Sequence, residues 1–118
     1  MSEDHNAWFQ CFAGCDEQYE LDEIIYRCRE CNSLLEVQHD MDALSRRSAE
    51  KWKELFATRW GDATGPLGSG VWGKKEWVMP RVEDENIVTL AEGKTPLIHV
   101  DDFGSELGVP DLHVKLCG

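Results

Sequence analysis

Two pairs of closely spaced cysteines constrain this chain more than any other feature. The first pair is Cys11 and Cys15, and the second is Cys28 and Cys31, in the pattern C-x3-C followed by C-x2-C. Two tight turns that each present two thiolates can hold one tetrahedral zinc ion, and four thiolates leave no open position for water. The spacing therefore predicts a structural zinc site in a small β module that the metal stabilises.

Disulfides and free thiols remain the alternative interpretations of these cysteines. The odd fifth cysteine, Cys117, does not fit a fully paired framework, and residues 2–5 are polar, unlike a signal peptide. We therefore expect the chain to be cytoplasmic. In that reducing compartment clustered cysteines are more often metal ligands than disulfides. A redox function for Cys28 and Cys31 is the weaker hypothesis, because such a pair belongs at a helix N-terminus and this one lies between strand-like segments.

The hydrophobic pattern divides the chain into four segments. Residues 1–40 alternate strand-like pieces, including 23–26, with the cysteine turns and predict a zinc-ribbon-like module. Residues 41–61 predict one amphipathic helix that ends at Gly61, and residues 62–85 predict an irregular, glycine-rich linker. Residues 86–118 contain strand-like runs at 87–90, 97–100 and 112–115, with a helical turn at 102–107 that Gly108 closes.

The charge of the chain argues against two classes of partner. The net charge is −11, and residues 8–40 hold eight acidic residues but only two basic ones, Arg27 and Arg29. A phosphate backbone or an anionic membrane needs a cationic surface. We therefore expect no nucleic-acid partner and no membrane partner.

Two further groups of residues are candidates for packing or binding. Trp52, Phe56 and Trp60 recur at helical intervals, which is typical of packing residues. A glycine and a threonine before proline predict a rigid, exposed loop of the kind that borders a ligand site. Its residues Glu92, Gly93, Lys94 and Thr95 are a candidate substrate-site rim. The four histidines, at positions 5, 39, 99 and 113, are scattered and suggest no metal or catalytic cluster.

Several of these segments together resemble the threonine synthase family. Residues 19–37, which include Cys28 and Cys31, look like the N-terminal extension of those family members that carry the cysteines. S-G-V-W at residues 69–72 is similar to the same segment of the family, and E-N-I-V-T-L-A-E-G-K-T-P-L at residues 85–97 is similar to its most specific segment. Residues 114–118 would then be the strand before the family's N-P-T-G-S-F-K-D-R motif.

The resemblance implies a pyridoxal-phosphate-dependent lyase of the tryptophan-synthase-β fold. The full-length parent would convert O-phospho-L-homoserine and water to L-threonine and phosphate, in the threonine biosynthesis pathway. The lysine of the N-P-T-G-S-F-K-D-R motif forms the Schiff base, and this motif does not occur in the 118 residues. The resemblance therefore implies an inactive fragment with no catalytic or cofactor-binding residue of its own, and with pyridoxal phosphate in the parent only.

The expected fold class is α+β, with a zinc-ribbon-like β module, one amphipathic helix and the opening strands of a truncated α/β domain of fold type II. Ala91 departs from the family, which usually has glycine there, and so does Gly73, where a basic residue commonly follows the tryptophan. Two alternatives stay open. The chain could be a stand-alone zinc-ribbon interaction module, or it could belong to a related lyase such as threonine dehydratase or cysteate synthase, which share the T-P-L loop.

Overall fold

A computed structural model describes residues 4–62 and 64–117, and the positions discussed above at residues 2, 3 and 118 lie outside the described residues. The described residues form an N-terminal β ribbon, a helical middle segment and a C-terminal hairpin. Among them, no helix combines the length and apolarity that crossing a membrane requires. The elements are β1 Ala7–Cys11, β2 Gln18–Tyr19, β3 Leu35–His39, α1 Met41–Ser45, α2 Ala49–Arg59, α3 Lys75–Val78, β4 Leu97–His99, α4 Asp101–Leu107 and β5 His113–Lys115.

The ribbon is a three-stranded antiparallel sheet in the order β2, β1, β3. The central strand β1 ends at Cys11, which pairs with Leu35 of β3. The predicted strand at residues 23–26 is wrong, because this stretch folds into tight turns in which Ile25 N–H donates to Glu23 O. An isolated bridge between Arg27 and Leu34 extends the ribbon beside the second cysteine pair. Strands β1 and β3 lie on either side of the cysteine turns, as the alternating pattern of residues 1–40 predicted.

The single helix predicted for residues 41–61 is wrong, since two helices occupy this segment. Asp40 caps α1 by accepting the Ala43 N–H at 3.0 Å. The chain then leaves the helical conformation at Ser48, whose φ of −67° and ψ of 160° are extended. Its Oγ accepts the Lys51 N–H at 3.3 Å and begins α2. A serine that can cap a new helix therefore divides the apolar pattern into two helices.

An aromatic cluster joins the two helices to the rest of the molecule. Trp52 is only 6% exposed, and its Nε1 donates to Leu44 O of α1 at 3.2 Å. Its ring lies 5.6 Å from the rings of both Phe56 and Trp77, in a stacked and an edge-on arrangement respectively. The packing prediction is confirmed for Trp52 and Phe56. It is wrong for Trp60, which is 59% exposed.

The segment predicted as irregular contains helical structure that α2 holds in place. A 3-10 turn at Trp72–Lys74 leads into α3. Arg59, at the end of α2, binds Glu76 of α3 through two hydrogen bonds of 2.7 Å and also donates to Gly73 O at 2.9 Å. Burial raises the pKa of Glu76, but the hydrogen bonds from Arg59 outweigh this and keep the pKa below its ordinary 4.5. Arg59 therefore fixes the orientation of this segment.

The C-terminal region is an antiparallel hairpin of β4 and β5, joined by α4. Gly108 ends α4 in the left-handed conformation at φ 74°, which confirms its predicted role as a stop. The predicted strand at residues 87–90 is wrong, because this run has no partner among the described strands, and Val88 and Leu90 are 87% and 94% exposed. The radius of gyration is 18.7 Å, against about 13.5 Å for a compact domain of this length. The molecule is therefore elongated.

Candidate metal centre

The first pair of cysteines lies on a tight turn at the end of β1. Cys11 is the last residue of the strand and is 2% exposed. Its carbonyl accepts the Gly14 N–H at 3.3 Å, and Gly14 has a φ of 106°, which only glycine adopts without strain. This turn reverses the chain so that Cys15 faces back toward Cys11. The C-x3-C pair has one residue more between its cysteines than the C-x2-C pair, and the positive φ of Gly14 lets the turn include that residue.

The second pair lies on a similar turn between residues 27 and 34. Cys28 N–H donates to Ser33 O, and Asn32 N–H donates to Cys28 O, both at 2.9 Å. Asn32 closes the turn with a φ of 61°, in the left-handed region that asparagine tolerates better than most residues. This geometry directs the thiol of Cys31 back toward the end of β1.

The four thiols converge as the spacing predicts. All four Sγ atoms lie within 4.8 Å of one another, and Cys11 Sγ lies 3.4 Å from Cys31 Sγ. Tetrahedral zinc with Zn–S bonds of about 2.3 Å requires sulfur separations of about 3.8 Å. Cys11 and Cys28 are buried, Cys15 is half-buried and Cys31 is exposed. The cluster could therefore hold a metal ion with small adjustments of the side chains.

The surroundings of the second turn favour the thiolate form, which is the form that binds a metal. The backbone N–H of Cys31, and then that of Glu30, lower the pKa of the Cys28 thiol against the effect of burial. Hydrogen bonds from the Ser33 side chain and backbone lower the pKa of Cys31 to about 6. The pKa of Cys15 is raised, chiefly by its hydrogen bond with Cys31. A raised pKa at one thiol beside lowered pKa values at its neighbours is expected where close thiols share protons.

Tyr19 is a residue of this site that the sequence analysis missed. It is 2% exposed, and its Oη lies 3.8 Å from Cys28 Sγ and 3.0 Å from Glu17 Oε2. The Arg29 N–H donates to this oxygen at 3.0 Å and lowers the pKa, but burial and the contacts with Cys28 and Glu17 raise the pKa to about 12. The available sequence signal was an aromatic residue with polar neighbours on both sides, in the run from Asp16 to Glu20 between the cysteine pairs.

The candidate rim at residues 92–95 contacts the S-G-V-W segment at residues 69–72. Gly70 N–H donates to Glu92 O at 2.8 Å, and a Cβ on Gly70 would overlap the Gly93 carbonyl. The carboxylate of Glu92, which is exposed, folds back on the preceding residues and accepts from Thr89 Oγ1 and Leu90 N–H at 2.8 and 2.7 Å. Its own backbone N–H, and then these two donors, lower the pKa of Glu92.

The other two rim residues face different neighbours. The Lys94 ammonium lies 5.5 Å from the centre of the Trp60 ring, and Thr95 O accepts a hydrogen bond from Lys115. The described contacts hold the loop in place, whereas a role in binding substrate stays a prediction.

The histidines are less scattered than expected, because His99 and His113 are cross-strand neighbours with ring centres 4.9 Å apart.

Fold and site together define a small protein of mixed helix and strand with a four-cysteine cluster suited to a metal ion. No protein-family model matches the chain. Over 103 residues, 86% of this chain, it is 48% identical to threonine synthase 2, chloroplastic, from Arabidopsis thaliana. It is 35% identical to threonine synthase from Methanocaldococcus jannaschii and 33% identical to that from Methanosarcina acetivorans, again over 86% of the chain.

These matches make the chain a homologue of the threonine synthases, as the sequence analysis predicted. The chain spans about a fifth of the length of these curated relatives, with shares of 20%, 22% and 21% respectively. The matched region covers 86% of this chain, so the similarity is not confined to one motif.

Proposed function

We propose that this chain is the N-terminal portion of a threonine synthase and that residues 86–118 begin its catalytic domain of fold type II. The observation that carries the proposal is the 48% identity over 103 residues to the plant threonine synthase. The docking of Gly70 against Gly93 supports it, because this contact joins two of the segments that resemble the family. The four segments 1–40, 41–61, 62–85 and 86–118 remain our proposed division of the chain.

The full-length protein would convert O-phospho-L-homoserine and water to L-threonine and phosphate. Pyridoxal phosphate, when bound, supplies an electron sink for carbanions. None of the lysines in this chain stands in the N-P-T-G-S-F-K-D-R motif, so the residues present do not fit the covalent site of that cofactor. The chain alone is therefore inactive, and its share in the reaction is limited to scaffold and to the rim at residues 92–95.

An exchange experiment tests this proposal. The matching segment of the Methanocaldococcus jannaschii threonine synthase would be replaced by this chain, and phosphate release from O-phospho-L-homoserine would be measured. We expect an active chimera, because the segments are 35% identical. A parallel chimera with the Methanosarcina acetivorans segment controls for the junctions. A folded, cofactor-loaded chimera that releases no phosphate, beside an active control, would contradict the proposal.

The full-length parent, and not the chimera, addresses the alternative substrates, because the catalytic residues of the chimera come from the Methanocaldococcus jannaschii enzyme. Assays with threonine and with O-phosphoserine would detect an activity of the dehydratase or cysteate synthase type. Activity on one of these substrates, without phosphate release from O-phospho-L-homoserine, would favour a related lyase. The cytoplasmic location stays a prediction, and the Arabidopsis relative is named as chloroplastic.

We further propose that Cys11, Cys15, Cys28 and Cys31 bind one structural zinc ion. The convergence of four thiols within 4.8 Å supports this, as does the absence of an open position for water in a four-thiolate shell. Mass spectrometry of the intact chain under native and denaturing conditions tests it. We expect one zinc per chain that denaturation releases, whereas a metal-free mass lowered by the hydrogens of paired cysteines would indicate disulfides instead.

A further inference from the structure

One buried hydroxyl connects the two cysteine turns. Tyr19 Oη lies 3.0 Å from Glu17 Oε2, which follows the first turn, and 3.8 Å from Cys28 Sγ, which belongs to the second. The Arg29 N–H donates to the same oxygen at 3.0 Å, and the Arg29 guanidinium lies 5.2 Å from the centre of the tyrosine ring. Tyr19 is the largest fully buried side chain among the described residues. A hydroxyl in this position orients both turns at once.

The hydroxyl has one proton and two acceptors. Arg29 N–H occupies one lone pair of the oxygen, so the proton is shared between the Glu17 carboxylate and the sulfur of Cys28. A hydrogen bond to a thiolate withdraws electron density from the sulfur and fixes its direction. Groups in this outer position are usually worth a factor of about 10 to 100 in metal affinity.

We propose that Tyr19 is a positioning residue of the metal site, which holds Cys28 in its ligating orientation through the O–H···S hydrogen bond. This inference rests on the proposed metal binding at the four cysteines. It adds a residue outside the cysteine pattern that determines how tightly the metal is held. It also assigns Glu17 as the competing acceptor that limits the strength of the hydrogen bond.

Cobalt(II) is the probe, because its thiolate charge-transfer band reports the electron density on the sulfurs. The reduced, metal-free chain would be titrated with Co²⁺ as wild type, as Tyr19→Phe and as the control Tyr26→Phe. Tyr26 is 83% exposed, so the same loss of one hydroxyl leaves the site untouched. We expect Tyr19→Phe to weaken Co²⁺ binding about tenfold and to move the band to lower energy. Tyr26→Phe should match wild type in both.

The band energy separates positioning from a purely structural role. A variant that only destabilises the ribbon would bind Co²⁺ more weakly with an unchanged spectrum, since folding and binding are coupled. Weaker binding with the wild-type band would therefore overturn the proposal. Unchanged affinity and an unchanged band would overturn it as well. If Tyr19→Phe does not fold even with metal, the comparison of Glu17→Ala with Glu20→Ala tests the proposal instead.

Glu17→Ala should shift the band in the opposite direction. With its competitor removed, the Tyr19 proton is donated to Cys28 alone, and the charge-transfer energy rises. Glu20→Ala is the matched control, because Glu20 is exposed and its loss removes the same charge nearby. Equal shifts in the two variants would assign the effect to charge and overturn the role of the hydroxyl. Failure of the wild-type chain to bind Co²⁺ at all would instead overturn the metal site itself.

Discussion

Ala91 is in the left-handed conformation at φ 61°, although it is not glycine. This conformation costs an alanine about 1–2 kcal/mol, and the greater freedom of glycine in the unfolded chain returns about 0.4–1 kcal/mol of that. We therefore expect Ala91→Gly to stabilise the loop by about 0.5–1 kcal/mol. The Gly70 N–H, which donates to Glu92 O at 2.8 Å, reports the opening of this loop. Its amide hydrogen exchange should slow by about two- to fivefold.

Ala57→Gly is the matched control, because the same side chain is removed from an exposed position within α2. Glycine inside a helix costs about 1 kcal/mol relative to alanine. The Trp60 N–H, which donates to Phe56 O at 3.1 Å, should then exchange about fivefold faster. If Ala91→Gly left exchange at Gly70 unchanged or faster, while the control behaved as expected, the conformational argument would be refuted.

Three other perturbations have defined outcomes. Chelation of the metal should unfold the ribbon in circular dichroism and leave hydrogen exchange of the Trp52 backbone N–H, which donates to Ser48 O in α2, less affected; unchanged thermal unfolding after complete metal removal would count against a structural metal. Gly70→Ala should destabilise the docked loop by about 1–3 kcal/mol in urea unfolding, because its Cβ would overlap the Gly93 carbonyl, and a wild-type midpoint would contradict this. Because the folded pKa of Glu76 is lowered, its pair with Arg59 stabilises above pH 4.5 and is lost as the pH falls through the folded pKa. Glu76→Gln should therefore cost about 1–3 kcal/mol at pH 7, and its stability should fall less steeply below pH 4.5 than that of wild type.

The cysteine cluster was predictable because its spacing is set by metal chemistry more than by context. Four thiolates on two turns satisfy one ion whatever surrounds them, and the structure brings all four together. Gly108 was predictable for a similar reason, since a left-handed residue after a helix favours glycine. Both features depend on local geometry.

The features that could not be predicted depend on contacts between distant residues. Residues 87–90 have the β-branched composition of a strand, but a strand needs a partner, and none is present among the described strands. The break at Ser48 is local, but Arg46 and Arg47 are good helix formers, so the pattern did not distinguish a serine inside one helix from a serine that caps a second helix. Tyr19 became visible as a site residue only through its distance to Cys28.

The Arg59 guanidinium links α2 to Gly73 and Glu76 through three hydrogen bonds. Two of these require a carboxylate at position 76, whereas the bond to the Gly73 carbonyl is available whatever the side chain at position 73. Substitutions at positions 59, 73 and 76 should therefore be constrained to different degrees in evolution. Among related sequences, positions 59 and 76 should change together, and position 73 should vary independently of both.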